Sequence, residues 1–302
     1  MADTLYHYCS LETFLKILSN KTLRASDCSK TNDTEEIRWI SRAFSDVMIS
    51  DVLEHQPIID KYGLSGDNIK SILELLPRLV ESMFEDEFEI TRTYTMCFSE
   101  SSDSLSQWRG YADDSKGIAI GFDKKILSSF NEVIFHNFGK VIYNPDVQRN
   151  YIRRNMVSLF LNSDDPVSDF DTFSKNLALA TYGMRQLSAK FKNPAFSEEK
   201  EWRLFVNIHP NTPSNVLKGR SDLFMQNCDL SNGFIRNRLS FTQTNSRLVS
   251  YIDFNFEKIK DAVIKKVILG PKCDASASDI ELFLFSQSYN PVITERSKAT
   301  YR

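Results

Sequence analysis

Cysteine and histidine are scarce, with five of one and four of the other in 302 residues. Cys9, Cys28, Cys97, Cys228 and Cys273 are odd in number, scattered, and form no Cys-x-x-Cys pair. That pattern argues against a disulfide framework and for buried free thiols in a reducing compartment. Without clustered Cys/His spacing there is no footing for a zinc site, and no metal is expected. No run approaches the ~20 apolar residues that span a bilayer, so no membrane partner is expected. The opening Met-Ala-Asp-Thr-Leu-Tyr-His-Tyr lacks a basic region followed by an apolar stretch, and a cytoplasmic location is expected. The formal net charge of −3 lacks the basic excess of a broad nucleic-acid-coating surface, though a small local patch remains compatible with it. Also absent are Gly-x-Gly-x-x-Gly after a strand, a Gly-Lys-Ser/Thr phosphate loop, a Gly-x-Ser-x-Gly elbow and His-Glu-x-x-His. Ordinary dehydrogenase, P-loop, α/β-hydrolase and zinc-protease chemistry therefore have nothing to stand on.

What is present is a globular composition, 41% apolar and 25% charged, with 22 Phe and 11 Tyr for a dense core. Residues 5–9 predict a strand. Ser10 then caps a helix whose Leu11, Phe14, Leu15 and Leu18 fall on one side. A short strand follows at 22–26. Asn32-Asp33-Thr34 reads as a turn and helix start, with Glu36 placed to reach back in a capping box. Helical periodicity continues after Asp67, around a loop bearing Pro57, Gly63 and Gly66. Strands are expected at 92–99, 117–122 and 139–143, then helices at about 146–161 and 168–191. Further strands are expected at 201–208, 236–242, 248–256 and 263–269, then a helix at 275–286 and a last strand at 291–295. Strands come in two batches with helices between, the α+β pattern. One domain, 1–302, is expected, with a helical insertion at about 33–90 covering one side of the sheet.

Several segments carry candidate chemistry. On a strand, Tyr6 and Tyr8 share one face and His7 takes the other. They either pack in a core or line a pocket where a ring stacks and an imidazole binds a hydroxyl. Ser99 and Ser101, at a strand end, either contact a ligand or cap the next helix. Trp108 and Tyr111 are three apart on a short helix and point to one side, as a binding platform or as an aromatic plug. Gly117 and Gly121 bracket a strand that a ligand or a backbone could approach closely. If 199–203 is extended, Glu199, Glu201 and Arg203 line one face. Two carboxylates and a guanidinium are either solvated or paired across a cleft, which is also how a carboxylate is poised against a cationic transition state.

Taken in order, Tyr6-His7-Tyr8-x-Ser10, Leu23-Arg24-x-Ser26, Asn32-Asp33-x-x-Glu36, Cys97-Phe98-Ser99, Trp108-x-x-Tyr111, Gly117…Gly121-Phe122, Glu199-x-Glu201-Trp202-Arg203 and Ile268-x-Gly270-Pro271 resemble a large bacterial family of uncharacterised domains. The arrangement is also similar, at greater distance, to the ADP-ribosyltransferase superfamily. That similarity implies a split β-sheet core with helical insertions, and NAD as substrate with no metal. His7 or Arg24 would fill the first motif position and Ser99, with Ser101 or Tyr111, the middle one. Glu199 and Glu201 would be catalytic, and Tyr8, Trp108 or Tyr111 would stack on a ring of NAD. Glu201 would stabilise an oxocarbenium-like ribose, while Glu199 would orient or deprotonate the acceptor. The activity implied is mono-ADP-ribosylation of a protein or nucleic acid by a toxin or phage-defence effector, with a neutralising partner protein as a further expectation. The alternatives are NAD glycohydrolysis with water as acceptor, and a non-catalytic module that binds a nucleotide or protein.

Overall fold

A computed structural model describes residues 3–28, 35–84, 92–129, 137–162, 169–208, 239–244 and 247–300. Strand β1 (Thr4–Cys9) leads into helix α1 (Leu11–Asn20). The Ser10 hydroxyl accepts from Thr13 N at its start, and Lys21 closes it in the left-handed region at φ 51°. Strand β2 (Thr22–Asp27) follows. The Asn32-Asp33-Thr34 turn lies outside the described residues.

Helix α2 (Glu35–Val47) runs into a π-helical turn, then α3 (Gln56–Tyr62) and α4 (Gly66–Phe84). The expected loop around Pro57 is helical instead. Pro57 sits in the first turn of α3, where its missing N–H costs nothing. Strand β3 (Arg92–Ser99), helix α5 (Leu105–Tyr111), strand β4 (Ile118–Asp123), helix α6 (Lys124–Ser129) and strand β5 (Asn137–Lys140) come next. The last begins two residues before the expected 139–143. Helices α7 (Pro145–Leu161) and α8 (Phe170–Leu187) precede β6 (Glu201–Ile208), β7 (Leu239–Thr244) and β8 (Arg247–Asn255). A single helical turn, α9 (Lys260–Val263), then β9 (Ile264–Leu269), α10 (Ala277–Ser286) and β10 (Ile293–Arg296) complete the chain.

The architecture is α+β. The described strands form one ten-stranded sheet, with the path β10-β9-β4-β1-β3-β2-β8-β7, and with β6 and β5 branching from β3. All pairings are antiparallel except β9 with β10.

The branch point positions the site. Along one edge, β3 pairs with β6 over its whole length, from Arg92↔Ile208 to Ser99↔Glu201. The other edge is shared. Strand β2 meets it at Ser26↔Thr95 and Asp27↔Tyr94, and β1 meets it at Tyr6↔Ser99. Met96, Cys97 and Phe98 lie between those contacts, where β1 has turned away toward β4 and β2 toward β8. The sheet therefore forks at the middle of β3.

Two cores follow. One lies on a face of the sheet under α1 and α10 and contains Leu5, Phe14, Phe98, Phe122, Leu204, Phe254 and Leu284. The other is helical, built on Phe44, Tyr62, Met156, Phe160, Phe173 and Phe191. The buried Tyr62 hydroxyl is satisfied by donating to Phe160 O at 2.9 Å and accepting from Asn176 Nδ2 at 3.0 Å. The helices at 35–84 thus bury their apolar side against α7 and α8, not against the sheet as expected of the insertion. No helix among the described residues is long and apolar enough to cross a membrane.

Candidate active site

On the sheet face opposite the first core, Tyr8, Trp108, Ala112, Ala119 and Ile268 form a small cluster. Register fixes what shares that face. Tyr6 pairs with Ser99 and Ser99 with Glu201, so all three project to one side, with Cys97 and Arg203 one step along.

The acidic pair is not brought together by strand alternation. Pro194–Glu199 is a 3-10 helix, and Lys200 follows in the left-handed region at φ 46°, so β6 begins only at Glu201. The expected extended face containing Glu199 is therefore replaced by a sharp turn. That turn aims both carboxylates at one ammonium. Lys192 Nζ lies 2.6 Å from Glu199 Oε2 and 3.4 Å from Glu201 Oε2. Arg203 grips Glu201 with two parallel bonds, Nε to Oε1 and Nη2 to Oε2, both 2.9 Å, and its Nη1 donates to Ala189 O at 3.2 Å. Residue exposure is 3% for Lys192, 4% for Arg203, 6% for Glu201 and 7% for Glu199. Such burial is tolerable only because the two positive charges match the two negative ones at hydrogen-bond distance.

The two carboxyls occupy different electrostatic states. Burial works against ionisation of Glu201, but the Arg203 guanidinium, with Lys192 and the Cys97 thiol, holds it at about 2. Burial raises Glu199 above the usual carboxylate range and the Glu201 charge adds to this, with bonds from Lys192 and Tyr111 opposing. Tyr111 donates to Glu199 Oε1 at 3.0 Å, so each Glu199 oxygen has one fixed partner. Half of the Tyr111 surface is exposed, yet its hydroxyl is tucked against the cluster and burial pushes its ionisation upward. Ser99 Oγ donates to the Glu199 carbonyl at 2.6 Å, and Glu201 N donates to the Tyr143 hydroxyl at 3.1 Å.

Ser99, Tyr111, Glu199 and Glu201 are thus one constellation, joined by Arg203. Other expected site residues stand apart. His7 projects to the opposite face, against Phe98 at 6.0 Å between ring centres. Its Nδ1 lies 2.9 Å from the Cys97 carbonyl, within the stretch of β3 that neither β1 nor β2 pairs with. A carbonyl only accepts, so Nδ1 carries the proton and Nε2 is the acceptor; burial lowers the imidazole below its ordinary value, with the Cys97 bond opposing. Trp108 is fully buried, 4.7 Å from the Tyr8 ring in an edge-on contact, with Nε1 donating to Asp103 Oδ1 at 2.6 Å. It is a plug and offers no face for stacking. Tyr8 spans two backbone groups, donating to Ser101 O and accepting from Ser104 N. Arg24 sits on β2 across the fork, 3.4 Å over the Tyr251 ring and 3.4 Å from Asp253.

The close backbone approach expected at the glycines serves the fold. A Cβ at Gly117 would stand 2.1 Å from Cys9 O. Of the cysteines, Cys9 and Cys273 are buried, whereas Cys28 is half-buried and Cys97 exposed; Cys228 lies outside the described residues. No group of three or more His, Cys, Asp or Glu among the described residues could hold a metal ion. Lys192, Tyr143 and Gln148 were not singled out from the sequence, because isolated polar residues in a loop or on a helix carry no periodic signal.

No curated protein and no solved structure matches the chain. Residues 107–204 match a family described as Protein of unknown function (DUF2971). The segment that supplies Tyr111, Lys192, Glu199, Glu201 and Arg203 is therefore the segment similar to that uncharacterised family.

Proposed function

We propose that the protein is an NAD-dependent mono-ADP-ribosyltransferase acting on a protein or nucleic acid. The observation that carries this reading is the acidic pair set against Ser99, at the end of β3 where β1 pairs with it beside the fork. In this reading an extended dinucleotide lies along the fork between β1 and β2, reaching from the acidic pair on one face to His7 on the other, where Nε2 accepts from a ribose hydroxyl, with Arg24 on β2 beyond. The two carboxyls divide the work. Glu201 is an anion at any physiological pH, held in place by two bonds from Arg203. The two carboxylates, their charge shared with Arg203 and Lys192, lie in this reading beside the cation that forms as the ribose C1′–nicotinamide bond breaks. The electron pair of that bond goes to the nicotinamide nitrogen, the acceptor heteroatom bonds C1′, and the proton it sheds goes to the Glu199 carboxylate, whose raised proton affinity suits a general base.

A second reading, a non-catalytic module binding a nucleotide or protein, is favoured by one observation: Glu201 is closed in its ion pair with Arg203. Incubation with labelled NAD and cell lysate separates the two. The transferase labels macromolecules, and Glu199→Gln lowers the rate by about 10²-fold or more. Nicotinamide released without labelled macromolecule indicates hydrolysis. No consumption of NAD by the parent protein leaves the binding module.

A further inference from the structure

Lys192 is a buried ammonium between two carboxylates, of which Glu201 is also neutralised by Arg203 through two bonds. Its shorter contact goes to Glu199, 2.6 Å against 3.4 Å. A buried cation costs several kcal/mol unless a partner offsets it, so its partner here is Glu199. The backbone of Lys192 is held from the helical layer. Its N–H donates to Ile142 O at 3.3 Å, and its carbonyl accepts from Gln148 Nε2 at 2.9 Å. Gln148, on α7 and 1% exposed, also donates to Ile142 O and accepts from Trp39 Nε1 on α2 at 3.1 Å. Two helices thus set where the ammonium stands.

We infer that Lys192 is a positioning residue acting through Glu199: its ammonium, clamped by the helical layer, holds one Glu199 oxygen while Tyr111 holds the other, keeping the carboxylate ionised and aimed for proton transfer. The chemical part of this rests on the transferase reading; the electrostatic part does not. The groups facing Glu199 are Lys192, Tyr111 and Glu201, with Arg203 and Tyr143 behind Glu201 and the Phe196 ring 4.9 Å from Lys192 Nζ. Remove the ammonium, and burial together with the Glu201 charge acts on Glu199 with its strongest opposing partner gone.

The test is a carbon-13 titration of the Glu199 carboxyl in the full chain, assigned by its loss in Glu199→Gln. Lys192→Gln, which keeps a donor without the charge, moves the midpoint to higher pH, and Lys192→Arg returns it toward the parent. In the NAD assay, the acid limb of kcat moves with the midpoint, while KM for NAD stays within about twofold. An unchanged midpoint in a folded Lys192→Gln protein, with the parent circular dichroism spectrum, overturns the inference. A moved midpoint in a parent that consumes no NAD sustains the role of Lys192 and ends the transferase reading.

Discussion

Lys200 shows how much one residue's backbone decides. Its left-handed conformation joins the 3-10 turn to β6 and lets two carboxylates converge on Lys192. A non-glycine residue there costs roughly 1–2 kcal/mol, part of which glycine recovers at the expense of a looser unfolded chain. Lys200→Gly is therefore expected to leave the urea midpoint unchanged or to raise stability by up to about 1 kcal/mol, whereas Lys200→Val lowers it. A clear loss with glycine would show that the turn is not under strain. The charged residues of this region were legible in the sequence because Glu199, Glu201 and Arg203 are costly to bury unpaired. Strand alternation grouped them correctly for a reason that does not hold for Glu199. Lys192 was not legible, since a lone loop lysine resembles every solvated lysine until its neighbours are known.

At the scale of elements, the opening β1-α1-β2 unit follows from local signals: an N-cap serine, one-sided apolar spacing and short extended runs. Helix α3 escaped because Pro57 and Gly63 read as loop punctuation, although proline suits a first turn and glycine a left-handed end. The fork escaped for a different reason: pairing partners are non-local, and no residue of β3 announces that its edge is shared. Gly117 ties these elements together, since it ends the turn that leads into β4, where the Cys9 carbonyl at the end of β1 passes closest. Gly117→Ala is expected to destabilise by about 1–3 kcal/mol through a backbone clash. Thermal unfolding checks this, and an unchanged midpoint would mean that β1 and β4 yield without cost.

For the molecule as a whole, composition and the order of strands and helices were enough to indicate α+β. They did not reveal that the helices at 35–84 form a separate core with α7 and α8, because an amphipathic face states how much it buries and not against what. That second core reaches the carboxylates through Gln148 and Lys192, so its place in the chain bears on the site. The claim that joins these levels is that the forked sheet receives NAD. The most direct measurement is an NAD titration of protein labelled with nitrogen-15 at its four histidines. His7 Nε2 is expected to shift in a saturable way on binding and to do so in Glu199→Gln as well, where turnover is lost. No saturable change at His7 at millimolar NAD would contradict the account.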